Sequence, residues 1–162
     1  LLLALAAGIY VNPPYSAPLE DNLAFVDYVK LNVEAADYLE RWYPGTPVHA
    51  VWPFWLELAR PELGYVNRPI PTETVHDVSP AALAAMDWSK VRILIVCNQN
   101  LGSRIPLLKQ GWIGEIRKRF YTLSKAPEEN AIRLAVPFRN VAHFQDRGQW
   151  VDIYVNPDVR VR

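Results

Sequence analysis

The sequence predicts an α/β domain, a small Rossmann-like layered sheet with flanking helices and a carboxyl-terminal β-hairpin. Three observations predict it. A helical repeat over residues 20–43 is followed by short apolar runs that alternate with further helical stretches. The run KVRILIVC is continuously apolar, as in a strand covered on both faces. The closing VAHFQDRGQWVDIYVNP holds two alternating runs around Asp146, Arg147, Gly148 and Gln149, a good turn sequence. At 162 residues and 51% hydrophobic, one domain with a sizeable core is the economical organisation.

Taken in order, the chain opens LLLALAAGIYV, then NPPY. Residues 1–11 carry no charge, so the positive segment that precedes the apolar run of a signal peptide is missing, as is an initiator methionine. The stretch is too short to span a bilayer, which takes about 20 apolar residues. It is long enough to be the end of a spanning helix, closed by Asn12, Pro13 and Pro14, with Tyr10 and Tyr15 at the interface. That reading makes 1–11 the end of a transmembrane helix and 12–162 a single soluble α/β domain. A short buried helix and a signal-peptide remnant are the alternatives.

In residues 20–43, Asp21 or Asn22 suits the helix cap. Leu23, Val26, Tyr28, Val29, Val33, Ala36, Leu39 and Trp42 recur at helical spacing, with Asp27, Lys30, Glu34, Asp37 and Glu40 mostly opposite. Pro44 and Gly45 stop the helix. PVHAVWP reads as a strand. FWLELARPELGY reads as one or two helical turns broken by Pro61, with Glu57 and Arg60 three apart and able to pair. A short strand is expected around residues 74–76. SPAALAAMDW starts a short helix with Ser79 as cap and Pro80 first. Residues 104–123 read as a second long helix, with Ile105, Leu108, Trp112, Ile116 and Phe120 on one stripe.

Zero formal net charge argues against a nucleic-acid binder. The charge is uneven, however: six acids against two bases in residues 20–41, and five bases against one acid in 104–119. The single cysteine, Cys97, excludes an intrachain disulfide and any multi-cysteine zinc site, and reads as a small buried hydrophobe. His49, His76 and His143 lie far apart and show no ligand spacing, so neither a metal nor another cofactor is expected. No standard catalytic signature is present, and no catalytic residue is assigned.

Two groups of residues are candidates for binding. Asn98, Gln99 and Asn100 follow the strongest strand, where ligands of open α/β sheets bind, and Arg104 can meet an anion there. The alternative is an amide-rich loop that satisfies its own turn. The stripe and basic face of Lys109, Trp112, Arg117, Lys118 and Arg119 suit an anionic membrane surface or a partner protein, as do Trp52 and Trp55. The alternative is ordinary core packing.

Three stretches, PPYSAPLEDNLAFVDYVKLNVEAADYLERWYPG, VWPFWLELARPELGYVNRPI and DRGQWVDIYV, together resemble the carboxyl-terminal region of bacterial family 39-like glycosyltransferases. These are integral membrane enzymes related to dolichyl-phosphate-mannose mannosyltransferases. The resemblance implies many membrane helices followed by a small α/β domain outside the cytoplasm, and a polyprenyl-phosphate sugar donor. The family's catalytic acids lie near the start of the membrane region and have no counterpart in this chain. The resemblance therefore implies a non-catalytic domain, extracytoplasmic and membrane-associated, that positions the acceptor or stabilises the membrane part. An anchored interaction module and a small independent α/β enzyme remain the alternatives.

Overall fold

The computed structural model describes residues 2–3, 23–98, 129–146 and 149–159. Among them, five strands form one mixed sheet in the order β2-β1-β3-β5-β4. In chain order the elements are α1 (Leu23–Trp42), β1 (Val48–Val51), α2 (Phe54–Ala59), a 3₁₀ turn (Pro61–Leu63), β2 (Thr72–Val75), α3 (Pro80–Ala84), β3 (Ile93–Asn98), α4 (Glu129–Ala135), β4 (Arg139–Asp146) and β5 (Gln149–Val155). β1 pairs in parallel with both β2 and β3. β5 runs antiparallel to β3 and to β4, with an irregularity between Asn140 and Ala142. The α/β sheet with flanking helices is thus as expected, and so is the closing hairpin.

Each strand alternates its side chains between two cores. Ile93, Ile95 and Cys97 of β3, with Val151, Ile153 and Val155 of β5, face α1 and α2. Leu94 and Val96, with Trp150 and Tyr154, face α3 and α4. This accounts for the unbroken apolar run of β3, which is covered on both sides.

The core face of α1 is Tyr28, Leu31, Asn32, Ala35, Ala36, Leu39 and, just beyond its end, Tyr43. The spacing is helical, but the face is rotated from the expected stripe. Val26 and Trp42 are exposed, while Asp27 is buried. Two adjacent alanines, Ala35 and Ala36, lie wholly buried at the centre of the face that packs on the sheet. Pro44 stops the helix, and Gly45, with a left-handed φ of 73°, completes the turn that the Thr46 N–H closes on the Tyr43 carbonyl at 3.1 Å. The Glu40 carboxylate accepts bonds from the backbone N–H groups of Asn67 and Arg68 and from the Asn67 side chain, at 2.8–2.9 Å, clamping the connector to β2.

Ser79 caps α3 as expected: its Oγ accepts from the Ala82 N–H at 3.3 Å. The seven-residue α4 carries no expectation from the sequence. The helix expected over 104–123 lies outside the described residues. So does nearly all of 1–11, and among the described residues no helix is long and apolar enough to cross a membrane.

Candidate functional site: the carboxyl end of the parallel strands

α1 runs antiparallel to β1, so its first half lies at the carboxyl ends of β1 and β3. There it meets the first turn of α2, and the contact is polar. The Tyr28 hydroxyl donates to Glu57 Oε1 at 3.1 Å, and the Asn32 amide donates to Glu57 Oε2 at 2.6 Å. Tyr65 adds a third hydrogen bond. Glu57 is buried, and burial pushes its carboxyl above the ordinary carboxylate range, against the three hydrogen bonds that pull it down. The carboxyl in turn raises its neighbours. Burial and the Glu57 charge push Tyr65 up to about 12 and Tyr28 well above the ordinary phenol range.

Cys97, on β3, feels the same charge. Burial first, and Glu57 second, push its thiol up to about 12, so it stays protonated near neutral pH. The reading of Cys97 as a small buried hydrophobe holds. Glu57 does not pair with Arg60. The backbone of Arg60 is extended, with φ −124° and ψ 94°, so α2 ends before Arg60 joins its face, and Arg60 is exposed. The cluster is a buried hydrogen-bonding carboxyl whose Asn32 Oδ1 has no partner among the described residues.

Trp52 leaves β1 at this same end and is 63% exposed. Trp55, in the first turn of α2, is half-buried against the core, and its carbonyl accepts from Thr72 Oγ1 at 3.2 Å. Asn98 is the last residue of β3, paired with Trp150. Gln99, Asn100, Arg104, Lys109, Trp112, Arg117, Lys118 and Arg119 lie outside the described residues.

The histidines are distributed rather than gathered. His49 on β1 pairs with Glu73 on β2 at 3.1 Å, in register across the parallel ladder. His76 is exposed just past β2. His143 on β4 belongs to a second polar cluster that the sequence reading missed. The fully buried Asp152 of β5 accepts from His143 Nδ1 at 2.7 Å, from the Tyr154 hydroxyl at 3.0 Å and from Arg133 Nε at 3.5 Å. Arg133 also bridges to Glu129 at 2.6 Å. Because an ionised carboxylate only accepts, Asp152 assigns the His143 proton to Nδ1. Glu129, His143 and Asp152 lie close enough together to hold a metal ion. The Arg133 guanidinium, within 3.5 Å of all three, supplies positive charge there instead. The signal that would have found this cluster is Asp152 itself, an acid set among the apolar Trp150, Val151, Ile153 and Tyr154 of a strand.

Compared with protein-family models, curated proteins and solved structures, the chain matches none.

Proposed function

We propose that the chain is a non-catalytic α/β domain of a polyprenyl-phosphate-sugar-dependent membrane glycosyltransferase, held against the extracytoplasmic face of the bilayer by the carboxyl end of its sheet. The observation that carries this reading is the exposed Trp52 at the end of the sheet where α1 begins and β3 stops. α1 begins there at Leu23, downstream of the apolar residues 1–11 and the proline pair. β3 ends there at Asn98, just before the segment that holds the basic and apolar stripe of 104–119. An exposed tryptophan suits a membrane interface, being an apolar body with one polar tip. The resemblance described above supplies the enzyme class. Beneath the surface, the Glu57 cluster ties α1 to α2 and stiffens the end that would bear the load.

The test is the intact mass of the native protein, detected in membranes with an antibody raised against Leu23–Trp42. A species several times heavier than the 18.5 kDa of this chain, released only by detergent, is expected. A species near 18.5 kDa that leaves the membrane without detergent overturns the reading.

A further inference from the structure

At the opposite end of the sheet, a cleft of about 370 Å³ opens between two turns. Its volume is that of a small-molecule site. One wall is the exit from α1, where Trp42 is 42% exposed and is followed by Tyr43 and Thr46. The other wall carries Arg92, just before β3, and Asp158, just after β5.

Both walls are fixed by backbone hydrogen bonds. The Tyr43 N–H donates to the Leu39 carbonyl at 2.8 Å, and the Thr46 N–H to the Tyr43 carbonyl at 3.1 Å. Pro44 and Pro47 stiffen that turn further. On the other side, the Asn156 N–H donates to the Arg92 carbonyl at 2.9 Å, and its side-chain amide to the Val91 carbonyl at 3.2 Å. Asn156 Oδ1 then accepts from the Asp158 N–H at 3.0 Å.

The chemistry on these walls is unspent. Among the described residues, neither the Arg92 guanidinium nor the Asp158 carboxylate has an ion-pair or hydrogen-bond partner. Neither charge is consumed by the fold, and the pair is neutral overall. A strongly anionic ligand would meet Asp158, and a cationic one would meet Arg92. A neutral ring with a C–H face and a rim of hydroxyls meets no such conflict. Its C–H face can lie on the Trp42 indole, while Asp158 accepts from hydroxyls and Arg92 donates to them.

We propose that this cleft binds a neutral saccharide, with a pyranose ring on Trp42 and its hydroxyls shared between Arg92 and Asp158. Rigid walls lower the ordering cost of binding. A single sugar on one shallow aromatic platform is expected to bind with a dissociation constant of roughly a millimolar. The inference does not rest on membrane attachment, because the cleft lies at the end of the sheet away from Trp52.

The experiment is a titration of the full chain, its tryptophans labelled with ¹⁵N, followed through the indole N–H signals. The probes are methyl α-glucoside, methyl α-mannoside, methyl β-galactoside and maltose, each taken to about 50 mM, well above the expected constant. Inorganic phosphate is titrated in parallel. A saturable shift of one indole signal, assigned to Trp42 by its loss in Trp42→Phe, is expected with at least one sugar. Asp158→Ala and Arg92→Ala should each weaken that binding about tenfold. Neither side chain holds the fold together, so both variants should keep the native circular dichroism. No saturable shift with any sugar overturns the proposal. So does binding that both alanine variants leave unchanged, or a site that phosphate fills more tightly than every sugar.

Discussion

At the scale of single residues, the buried acids Glu57 and Asp152 differ in the partners that hold them. Glu57 receives only neutral donors, and burial wins, raising its carboxyl. A folded state that holds a proton more tightly than the unfolded chain loses stability as pH rises through the unfolded value, about 4.3, toward the higher folded one. Glu57→Gln removes that ionisation while keeping the shape. Urea unfolding should therefore show the variant level with or slightly below the parent at about pH 4 and gaining on it as pH rises. A difference that stays flat with pH, or moves the other way, would refute the assignment of Glu57 as a raised acid. Asp152 instead has two cationic or potentially cationic partners, Arg133 and His143, and no exposure. Asp152→Asn leaves Arg133 with Glu129 as its counter-charge and turns one buried acceptor into a donor facing His143 Nδ1 and the Tyr154 hydroxyl. It should cost about 1–3 kcal/mol in the same assay, above an ordinary surface change. Neither pairing could be read from spacing. Tyr28 and Asn32 are 29 and 25 residues from Glu57, and His143 is nine from Asp152 across a hairpin.

At the scale of elements, the sequence signals that worked are those that act locally. Proline and glycine end α1, serine and proline start α3, and the uninterrupted apolar run marks β3 as covered on both faces. What failed was the rotation of α1. Periodicity says that a helix has an apolar face, but here two adjacent alanines and two buried polar residues, Asp27 and Asn32, belong to that face. Hydrophobicity alone therefore pointed toward Val26 and Trp42, which the structure exposes. α4 escaped notice because its seven residues, ENAIRLA, bury a single side chain, Ile132, too few for a repeat to show. The alanine contact yields a prediction. Ala35 and Ala36 are wholly buried where α1 lies on the sheet. Ala35→Leu inserts three heavy atoms into that contact and should cost about 1–3 kcal/mol by overpacking. Two positions on, Asp37 is exposed, and Asp37→Leu should stay within about 0.5 kcal/mol of the parent. Thermal unfolding of the two variants compares them directly. Equal effects would mean that α1 does not press on the sheet through its alanines.

At the scale of the whole molecule, the parallel strands separate two chemistries. β1 begins beside the cleft, just after Pro47, and ends just before Trp52, so its four residues span the distance between the two candidate surfaces. At about 3.3 Å per residue, that separation exceeds roughly 10 Å. Substitutions so far apart with no shared partner act independently. The expected membrane contact and the saccharide cleft should therefore be separable in one set of variants. Vesicles of phosphatidylcholine and phosphatidylglycerol with brominated acyl chains report contact through quenching of tryptophan fluorescence. Trp52→Phe should reduce that quenching and leave sugar titrations unchanged. Trp42→Phe should do the reverse, and the double variant should show both losses with no extra term. Quenching that survives Trp52→Phe in full would remove the carboxyl end of the sheet as the bilayer-facing surface. If instead each variant disturbed both readouts, the two ends would be coupled through the sheet. The rigid, doubly covered β3 would then be the element to carry that coupling, since it runs from beside Arg92 at the cleft to Asn98 at the other end.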